Sequence, residues 1–549
     1  MSDSKPWLKS YPEGIPEFIG KLSYASVAEM LEKACKKHKD RTAYVNFGVG
    51  ITYGQLDEMS KNLAAYLQSK FNKGDAIAIM LPNLLQYPIA VFGILRAGMI
   101  VTNTNPLYTP RELKHQLNDS SAKAIIVIEN YACTLAEVID ETPVEQVITT
   151  QIGDLLGLKG SFMNFMIKKV KKMVPAFSID NTVTFNQVLD KGKSLTFSNT
   201  PTTLDDIAFL QYTGGTTGVS KGAMLTNNNM VSNVEQVRTW NQDNLKDGKE
   251  IVITALPLYH IFALNANCLL FTEYGAKNIL ITNPRDMPGF VKEMGKHKFT
   301  AMTGVNTLFN GLLNTPGFDQ INFENFRLAL GGGMAVQKNT ADRWKEVTGL
   351  TLLEAYGLTE TSPAACINPP NMKDYNGMIG LPIPSTECKI IDDDGNTLPT
   401  GERGELCIKG PQVMKGYLNR PEATAETIVD GWLLTGDVAV MNDEGYFKIV
   451  DRKKDMILVS GFNVYPNEIE DAVCLHGNII EAAAIGIPDE KSGEVVKLFI
   501  VVEVDMTVDA VKDHCREHLT GYKVPRHVEF RDELPKSNVG KILRKDLRD

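Results

Sequence analysis

The 549-residue chain lacks features that would each assign it to a particular class of protein. Its eight cysteines are scattered and no two form a Cys-x-x-Cys pair, which favours reduced thiols over disulfides or a zinc site. It has no uninterrupted apolar run of about 18 residues, and residues 1–14 contain no apolar stretch long enough for a signal peptide. We therefore expect a cytoplasmic protein without a membrane span.

The chain also lacks an excess of positive charge, with 57 basic against 66 acidic residues. The formal net charge is −9, whereas proteins that neutralise nucleic-acid phosphates need a basic surface, so we expect no nucleic acid among the partners. We find no internal repeat, no low-complexity tract and no Ser-His-Asp or Cys-His arrangement that would supply a nucleophile. A hydrophobic content of 43% and a charged content of 22% are typical of globular proteins, and the length indicates more than one domain.

The most informative stretch, residues 212–223, is rich in glycine and hydroxyl side chains and follows an apolar, strand-like segment at residues 207–210. Glycines let backbone N–H groups point at an anion, the hydroxyls add donors, and Lys221 adds a positive charge. These are the features of a loop that binds a polyphosphate. The spacing does not fit G-x-x-x-x-G-K-[ST], because Gly222 follows Lys221. From these residues alone, a phosphate loop and a flexible surface turn are equally acceptable interpretations.

Strand and helix patterns alternate over residues 25–130 and again over residues 205–365, which predicts parallel sheets covered by helices. Short strands and turns then dominate residues 386–416 and predict a small β-barrel. After a charged run at residues 451–455, the pattern predicts a compact α+β domain. Its elements are strands at 482–487, 495–504 and 527–530 and a helix at 508–519.

Residues 162–174 depart from the globular pattern. On a helical wheel, apolar side chains occupy about half of the circumference, and Lys168, Lys171, Lys172 and Asn164 occupy the other half, with Lys169 at the edge. A basic amphipathic helix can lie in the interface of an anionic membrane. It can equally be a surface helix that packs on its own domain, and both interpretations stay open.

Five blocks of the sequence together resemble the adenylate-forming superfamily, which comprises acyl-CoA synthetases, luciferases and the adenylation domains of peptide synthetases. In the family's order they are Tyr-Thr-Gly-Gly-Thr-Thr-Gly-Val-Ser-Lys-Gly from Tyr212, Tyr-Gly-Leu-Thr-Glu from Tyr356, Thr-Gly-Asp from Thr435, Asp-Arg-Lys-Lys-Asp from Asp451, and Pro-Lys-Ser-Asn-Val-Gly-Lys from Pro535. The similarity extends along nearly the whole chain and is nearest to bacterial long-chain fatty-acid–CoA ligases.

The resemblance implies an α/β fold in which a large N-terminal domain, residues 1–450, consists of two helix-covered sheets and the small β-barrel. A small, mobile α+β lid domain, residues 456–549, would follow a hinge at residues 451–455, with Asp451 and Lys454 as hinge residues.

The resemblance also implies site residues, each named here by its number in this chain. For ATP they are Thr213, Gly214, Gly215, Thr216, Thr217, Gly218, Lys221, Gly332, Gly333, Glu354, Ala355, Tyr356, Gly357, Thr359, Asp437 and Arg452. For the acyl substrate they are His260, Gly304, Val305, Gly331 and Gly461. Thr213 and Glu360 would bind Mg²⁺, a hard cation that prefers oxygen ligands. The catalytic residues would be Lys541, Glu360, Thr213 and His260.

Taken one at a time, these residues have ordinary explanations. A tyrosine beside a glycine is usually loop packing, a histidine at the end of a strand is usually a hydrogen-bonded packing residue, and a lysine near the C-terminus is usually exposed to solvent. The order of the motifs is what favours a site.

The implied reaction converts a long-chain fatty acid and ATP to acyl-AMP and pyrophosphate, and then transfers the acyl group to CoA. The lid would bring Lys541 to the α-phosphate for the first step and the loop at Gly461 to the site for the second. Leu264 stands where some long-chain relatives have a tryptophan that gates the fatty-acid tunnel, which argues against such a gate here.

The alternatives are a fatty-acyl-AMP ligase that loads a carrier protein, an aryl–CoA ligase and a catalytically silent lipid-binding protein. Lys221, Glu360, Asp437 and Lys541 argue against the silent protein. The expected partners are a long-chain fatty acid, ATP, CoA and, through residues 162–174, the inner leaflet of an anionic membrane as a peripheral contact. The sequence leaves the oligomeric state, a homodimer included, open.

Overall fold

The computed structural model describes residues 5–213, 220–460, 462–489, 492–537 and 540–548. Six of the candidate site residues lie outside these ranges: Gly214, Gly215, Thr216, Thr217, Gly218 and Gly461.

The first sheet has eight strands and contains the strand that leads into the glycine-rich loop, residues 213–221. Across the sheet the order is Gly416–Tyr417, Lys221–Thr226, Ile207–Thr213, Ile100–Asn103, Ala76–Met80, Ala124–Ile128, Gln146–Thr150 and Thr182–Thr184. The first two strands run antiparallel to their neighbours and the other six are mutually parallel. The middle two of the six parallel strands, Ala76–Met80 and Ala124–Ile128, are buried along their whole length, as expected where both faces of a parallel sheet are covered.

The second sheet has nine strands, and its centre is again parallel. The order is Leu381–Pro382, Ala364–Ile367, Leu352–Gly357, Leu328–Gly331, Ala301–Gly304, Ile251–Thr254, Lys277–Leu280, Thr42–Asn46 and Val49–Thr52. The six strands from Leu352–Gly357 to Thr42–Asn46 are parallel. Loops that follow parallel strands meet at one edge of the sheet, where α/β proteins bind ligands.

Helices join the strands and cover these two sheets. The longer ones are Val27–Lys37, Tyr53–Gln68, Gln86–Arg96, Pro110–Asp119, Phe185–Lys193, Asn227–Trp240, Met287–Met294, Asn306–Leu313 and Lys338–Thr348. Tyr53–Gln68 shows how the sequence sets such an element: Thr52 caps its first turn in a capping box with Gln55, and its apolar residues at helical spacing, such as Leu56 and Leu63, are fully buried. One hydrophobic core runs through both sheets and their helices.

The short strands predicted after residue 386 form a five-stranded antiparallel sheet. It contains Glu387–Ile391, Arg403–Lys409, Trp432–Met441, Ile428–Val429 and Phe447–Arg452, the last paired with Trp432–Met441. Among the described residues, the edge strands of this sheet do not pair with each other. The sheet therefore does not close into the predicted β-barrel.

The C-terminal part has its own sheet and its own cores. Its strands are Ile457–Val459, Phe462–Val464, Ile479–Asp489, Gly493–Val502 and His527–Phe530, and its main helices are Pro466–Val473 and Val508–His518. The hydrophobic clusters of this part share no residue with the core of the two large sheets. The predicted α/β architecture with a small α+β C-terminal domain is confirmed.

The segment predicted as a helix at 162–174 has different bounds. An α-helix, Gly157–Phe165, continues directly as a π-helix, Met166–Val170, and Lys172 then adopts the left-handed backbone conformation with φ of 50°, which ends the helical run. Several apolar side chains of this segment face solvent, with 93% of Leu158, 67% of Phe162 and 57% of Phe165 exposed. Within the described ranges, no helix has the length and apolar character needed to span a membrane.

Candidate active site

The glycine-rich loop starts and ends at two paired residues. Thr213 and Lys221 face each other across antiparallel strands, and Thr213 Oγ1 lies 3.5 Å from the Lys221 carbonyl oxygen. The helix Pro110–Asp119 supports both ends, because Asp119 accepts a hydrogen bond from Tyr212 at 2.8 Å and His115 Nε2 donates to the Ser220 carbonyl at 3.0 Å. The ends of the loop are therefore held by two strands and a helix.

Tyr417 connects the loop lysine to the candidate metal-binding glutamate. Its ring centroid lies 5.0 Å from Lys221 Nζ, and its hydroxyl donates to Glu360 Oε1 at 2.6 Å. Tyr417 reaches this position because the strand Gly416–Tyr417 pairs with Lys221–Thr226. The sequence analysis did not single out Tyr417, because its place beside Lys221 depends on a strand pairing between segments distant in the chain.

Tyr356, Asp437 and Arg452 form a connected row. Tyr356 belongs to the strand Leu352–Gly357, and its hydroxyl donates to Asp437 Oδ2 at 2.6 Å. Asp437 and Arg452 are register partners on neighbouring strands, and Arg452 Nε lies 3.4 Å from Asp437 Oδ1. Burial and the nearby Asp437 carboxylate raise the pKa of Tyr356, so its phenol stays a hydrogen-bond donor at neutral pH. The row offers an aromatic ring, a carboxylate and a guanidinium on one surface.

The carboxyl group of Glu354 is buried beside this row and already has partners. It accepts hydrogen bonds from the Val336 backbone N–H and from the Tyr375 hydroxyl, both at 3.2 Å. Burial raises the pKa of Glu354 to about 8. The side chain of Glu354 therefore fixes the loop that carries Val336, while Glu354, Ala355 and Gly357 belong to the same strand as Tyr356.

The glycines 331 to 333 allow two segments to approach closely. The Gly332 N–H donates to the Gly304 carbonyl at 3.1 Å, and a Cβ atom added at Gly332 would lie 3.1 Å from the Phe262 ring and 3.2 Å from the Ala355 carbonyl. A Cβ at Gly304 would lie 2.6 Å from the Phe309 ring. A larger residue at Gly332 would press on the strand Leu352–Gly357, and a larger residue at Gly304 would displace the Phe309 ring.

His260 lies at the start of a short helix, and its ring is oriented by that helix. Nδ1 accepts a hydrogen bond from the Phe262 N–H at 3.4 Å, so the neutral ring carries its proton on Nε2. Desolvation, with the positive charge of Lys541 as the smaller cause, lowers the pKa of His260 to about 4. His260 is therefore neutral at pH 7. Leu264 is fully buried at the first position of the π-helix Leu264–Leu270, directly after this helix.

Lys541 of the C-terminal domain faces the N-terminal domain. The neighbouring Gly540 carbonyl accepts a hydrogen bond from Thr307 Oγ1 at 3.4 Å, and Ser537 holds both the N–H and the carbonyl of Lys541. Burial, followed by the positive charge of Arg452, lowers the pKa of Lys541 to about 8, and the Asp437 carboxylate opposes this shift. Lys541 therefore shares the electrostatic environment of the row formed by Tyr356, Asp437 and Arg452.

A partly buried arginine that the sequence analysis did not identify links the predicted hinge to the C-terminal domain. Arg544 forms ion pairs with Asp451 at 3.2 Å, with Asp455 at 3.6 Å and with Glu470 at 2.8 Å. Asp451 is fully buried at the end of the strand Phe447–Arg452 and also accepts a hydrogen bond from the Asn467 N–H at 2.8 Å. Burial raises the pKa of Asp451 to about 6, although Arg544 acts in the opposite direction. Lys454 lies at an exposed turn between the two domains.

The fold and the site are those of an adenylate-forming enzyme, and comparison with known families agrees. Residues 31–418 match the family model described as AMP-binding enzyme, and residues 468–541 match the model of the AMP-binding enzyme C-terminal domain. The chain belongs to the AMP-binding enzyme family, which confirms the resemblance drawn from the five motifs.

Curated relatives cover almost the whole chain. The long-chain-fatty-acid–CoA ligase of Salmonella typhimurium is 57% identical over 549 residues, which span 99% of this chain and 98% of the relative. The ligase of the same name from Haemophilus influenzae is 53% identical with the same coverage. A 4-coumarate–CoA ligase from Nicotiana tabacum is 34% identical, covering 90% of this chain and 89% of its own.

Solved structures agree on the fold. The crystal structure of MatB from Rhodopseudomonas palustris bound to ATP has a TM-score of 0.81 at 26% identity, covering 95% of this chain and 98% of its own. The anthranilate CoA ligase AuaEII in complex with anthranoyl-AMP has a TM-score of 0.84 at 24% identity, with 97% of both chains covered.

Proposed function

We propose that this chain is a long-chain-fatty-acid–CoA ligase. It uses ATP to convert a long-chain fatty acid to acyl-AMP, with release of pyrophosphate, and then transfers the acyl group to CoA with release of AMP. The observation that carries the proposal is the site itself. The site brings together the ends of the glycine-rich loop, Glu360, the row Tyr356–Asp437–Arg452 and Lys541. It does so in a chain that is 57% identical to such a ligase over its full length.

Adenylation solves a chemical problem of the substrate. A carboxylate is a poor electrophile, because its leaving group would be oxide. In the first step a carboxylate oxygen attacks the α-phosphorus of ATP, an O–P bond forms, and the bond to pyrophosphate breaks. The acyl carbon then carries AMP, a good leaving group, and the sulfur of CoA displaces it in the second step.

The residues around the glycine-rich loop serve the phosphates. Lys221 supplies a cation beside Tyr417, and Thr213 supplies a hydroxyl at the opposite end of the loop. Tyr356 offers its ring to the adenine, while Asp437 accepts hydrogen bonds from the ribose with Arg452 beside it. His260, neutral with its proton on Nε2, is placed to donate to the acyl carboxylate.

Mg²⁺ fits the donors present. The Tyr417 hydroxyl donates a hydrogen bond to Oε1 of Glu360. A magnesium ion that accompanies ATP would therefore use Oε2 of Glu360 and the hydroxyl of Thr213 as its hard oxygen ligands. When bound, Mg²⁺ would neutralise charge on the transferring phosphates. Glu360 and Thr213 would hold it.

The two steps require different groups at the same place. Lys541 neutralises charge that develops between the carboxylate and the α-phosphate, and must then leave room for the thiol of CoA. The C-terminal domain turns about residues 451–455, with Asp451 and Lys454 as the hinge residues, and the loop at Gly461 replaces Lys541. Support comes from the separate hydrophobic cores on either side of the hinge, which let the two domains move as rigid bodies.

The segment Gly157–Val170 brings the enzyme to its membrane-soluble substrate. Its exposed apolar side chains (Leu158, Phe162, Phe165 and Val170) would enter the interface, with Lys169, Lys171 and Lys172 near anionic headgroups. Lys168 contributes less, since it pairs with Glu129 at 2.9 Å.

A pyrophosphate-release assay tests the proposed function. With ATP, Mg²⁺, CoA and palmitate we expect continuous pyrophosphate release and palmitoyl-CoA, and with 4-coumarate in place of palmitate we expect at most a small fraction of that rate. The Glu360→Ala chain should lose about 10²- to 10³-fold in rate, and Glu58→Ala, at an exposed glutamate of the helix Tyr53–Gln68, should not. A rate on 4-coumarate that exceeded the rate on palmitate would replace the fatty-acid ligase with an aryl–CoA ligase.

A further inference from the structure

We infer that the C-terminal domain carries a binding site for a divalent transition-metal ion, separate from the magnesium proposed above. His514, Glu517 and His518 each offer one ligand atom, and these atoms lie within 4.8 Å of one another. All three belong to the last turns of the helix Val508–His518. Residues three and four positions apart lie on the same face of a helix, so the three side chains can reach one ion.

The helix is fixed in the rotation that the site requires. Val511 and Cys515 are fully buried in the core of the C-terminal domain and anchor one face of the helix. His514 then lies half-buried at the edge of that face, while Glu517 and His518 lie exposed beside it. An ion can reach this cluster without any rearrangement of the core.

The hydrogen bond of His514 selects the nitrogen that is available. Its Nε2 lies 3.0 Å from the carbonyl oxygen of Ala472. Because a carbonyl can only accept, Nε2 carries the proton and Nδ1 has its lone pair free. A histidine that ligates a metal commonly donates its other N–H to a backbone carbonyl in this way, which fixes the orientation of the ring.

Neighbouring groups favour a cation. The cluster lies at the C-terminal end of a helix, where unpaired carbonyl groups create a partial negative charge. The cation on the same turn, Arg516, is paired with Asp513. His476 packs edge-on against His514 with ring centroids 5.2 Å apart, and its Nδ1 accepts a hydrogen bond from the Asn478 N–H, so His476 forms a wall of the site rather than a ligand.

The donor set selects the class of metal. Two imidazole nitrogens and one carboxylate oxygen suit Zn²⁺ and its first-row neighbours, whereas Mg²⁺ and Ca²⁺ prefer oxygen ligands alone. The spacing His-x-x-Glu-His brings two histidines to one zinc ion in some metallopeptidases. Here the side chains face outward on the surface of the domain, so the site binds Zn²⁺ without a hydrolytic role.

Bound Zn²⁺ would stabilise the C-terminal domain. His514 connects the helix Val508–His518 to Ala472 in the helix Pro466–Val473, and Gln337 of the N-terminal domain donates to Cys474 just beyond it at 3.3 Å. An ion that immobilises His514 therefore holds the helices Val508–His518 and Pro466–Val473 together. The contact between Gln337 and Cys474, which joins the two domains, lies next to the second of these helices.

Zinc titration of the full-length chain tests the site. Cys133 is half-buried and the other cysteines are buried, so every protein compared carries Cys133→Ser to remove a competing thiol. With a chromogenic chelator as competitor, we expect the reference chain and His527→Ala to bind one equivalent of Zn²⁺ alike. His518→Ala and Glu517→Gln, which alter exposed side chains only, should each bind about tenfold more weakly or worse. Millimolar Mg²⁺ should not compete for the site, because Mg²⁺ prefers oxygen ligands alone.

A second measurement locates the ion. Anomalous diffraction from zinc-soaked crystals should give a peak between His514, Glu517 and His518. Equal zinc affinity in the reference, His518→Ala and Glu517→Gln proteins would overturn the inference, as would a zinc peak elsewhere with none at this cluster.

Discussion

The hydroxyl of Tyr417 lies 2.6 Å from Oε1 of Glu360. The ring of the same tyrosine lies under Lys221 Nζ, 5.0 Å from its centroid. Tyr417 thus positions two groups of opposite charge that the proposed mechanism places on the phosphates and on Mg²⁺. Burial and the Glu360 carboxylate raise the pKa of Tyr417, so the phenol remains a donor throughout the working pH range.

Tyr417→Phe separates these two contacts, because it keeps the ring under Lys221 and removes the hydrogen bond to Glu360. We expect acyl-AMP formation to fall about tenfold, since hydrogen bonds to charged groups contribute about 1.5 to 3 kcal/mol. The Mg²⁺ concentration for half-maximal rate should rise as well. Pyrophosphate exchange measured over a range of Mg²⁺ concentrations checks both, with Tyr446→Phe, at a half-buried tyrosine just before the strand Phe447–Arg452, as the control. Unchanged Mg²⁺ dependence would mean that Tyr417 only packs against the loop.

The lowered pKa of Lys541 predicts an alkaline limit to the first step. A lysine is cationic below its pKa, and burial together with Arg452 brings the pKa of Lys541 to about 8. Above that pH the ammonium loses its charge, so kcat/KM for acyl-AMP formation should fall with an apparent pKa near 8. Lys541→Arg stays charged at alkaline pH, and its profile should remain flat there, at a lower rate.

The measurement is pyrophosphate exchange between about pH 6 and 10 on the wild-type chain, Lys541→Arg, and Lys545→Arg at an exposed neighbouring lysine. The Lys545→Arg profile should match wild type. If wild type and Lys541→Arg lost activity at the same alkaline pH, a group other than Lys541 would set the limit.

The segment Gly157–Val170 and the lysines around its end predict membrane binding with two components. One is insertion of apolar side chains, and the other is attraction of lysines to anionic headgroups. Replacing Leu158 and Phe162 with serine should remove most binding to vesicles, because 93% and 67% of these side chains are exposed and available to the interface. Replacing Lys169, Lys171 and Lys172 with glutamine should weaken binding to anionic vesicles only, by about 1 kcal/mol for each lysine. Neither change should affect activity on detergent-dispersed substrate.

Co-sedimentation with vesicles of phosphatidylcholine, with and without phosphatidylglycerol, separates the two components. Glutamine in place of Lys191 and Lys193, which belong to the helix Phe185–Lys193, is the control for loss of positive charge outside the segment. Equal sedimentation of wild type and the Leu158/Phe162 variant would leave the segment as a surface helix without a membrane role.

The sequence predicted best those elements whose signal is local. The strand at 527–530 was located to the residue, because it is a short β-favouring run between polar neighbours. The helix predicted at 162–174 was displaced, since its end depends on the backbone conformation of Lys172. The site residues with a local signal were likewise the ones that the sequence predicted. Motif residues carry their own signal, but Tyr417 and Arg544 act through partners far away in the chain, and no local pattern indicates such partners.

The final prediction concerns the hinge and the two half-reactions. The C-terminal domain presents Lys541 to the site, and the ion pair of Arg544 with the buried Asp451 joins that domain to the strand Phe447–Arg452, in which the hinge begins. If one pocket serves both steps in turn, damage to a group that acts in one step should spare the other.

Lys541→Ala should lose acyl-AMP formation and still convert supplied acyl-AMP and CoA to thioester. Gly461→Leu should form acyl-AMP and fail at the thioester step, because a side chain there would obstruct the thiol. Lys454→Pro, which restricts the backbone at the turn between the domains, should impair the second step more than the first. Pyrophosphate exchange measures the first step and thioester formation from synthetic acyl-AMP measures the second, with Lys545→Ala as the control for a neutral change in the same segment. Equal loss of both steps in Lys541→Ala and in Gly461→Leu would rule out the alternating domain, because a fixed domain would use each residue in both reactions.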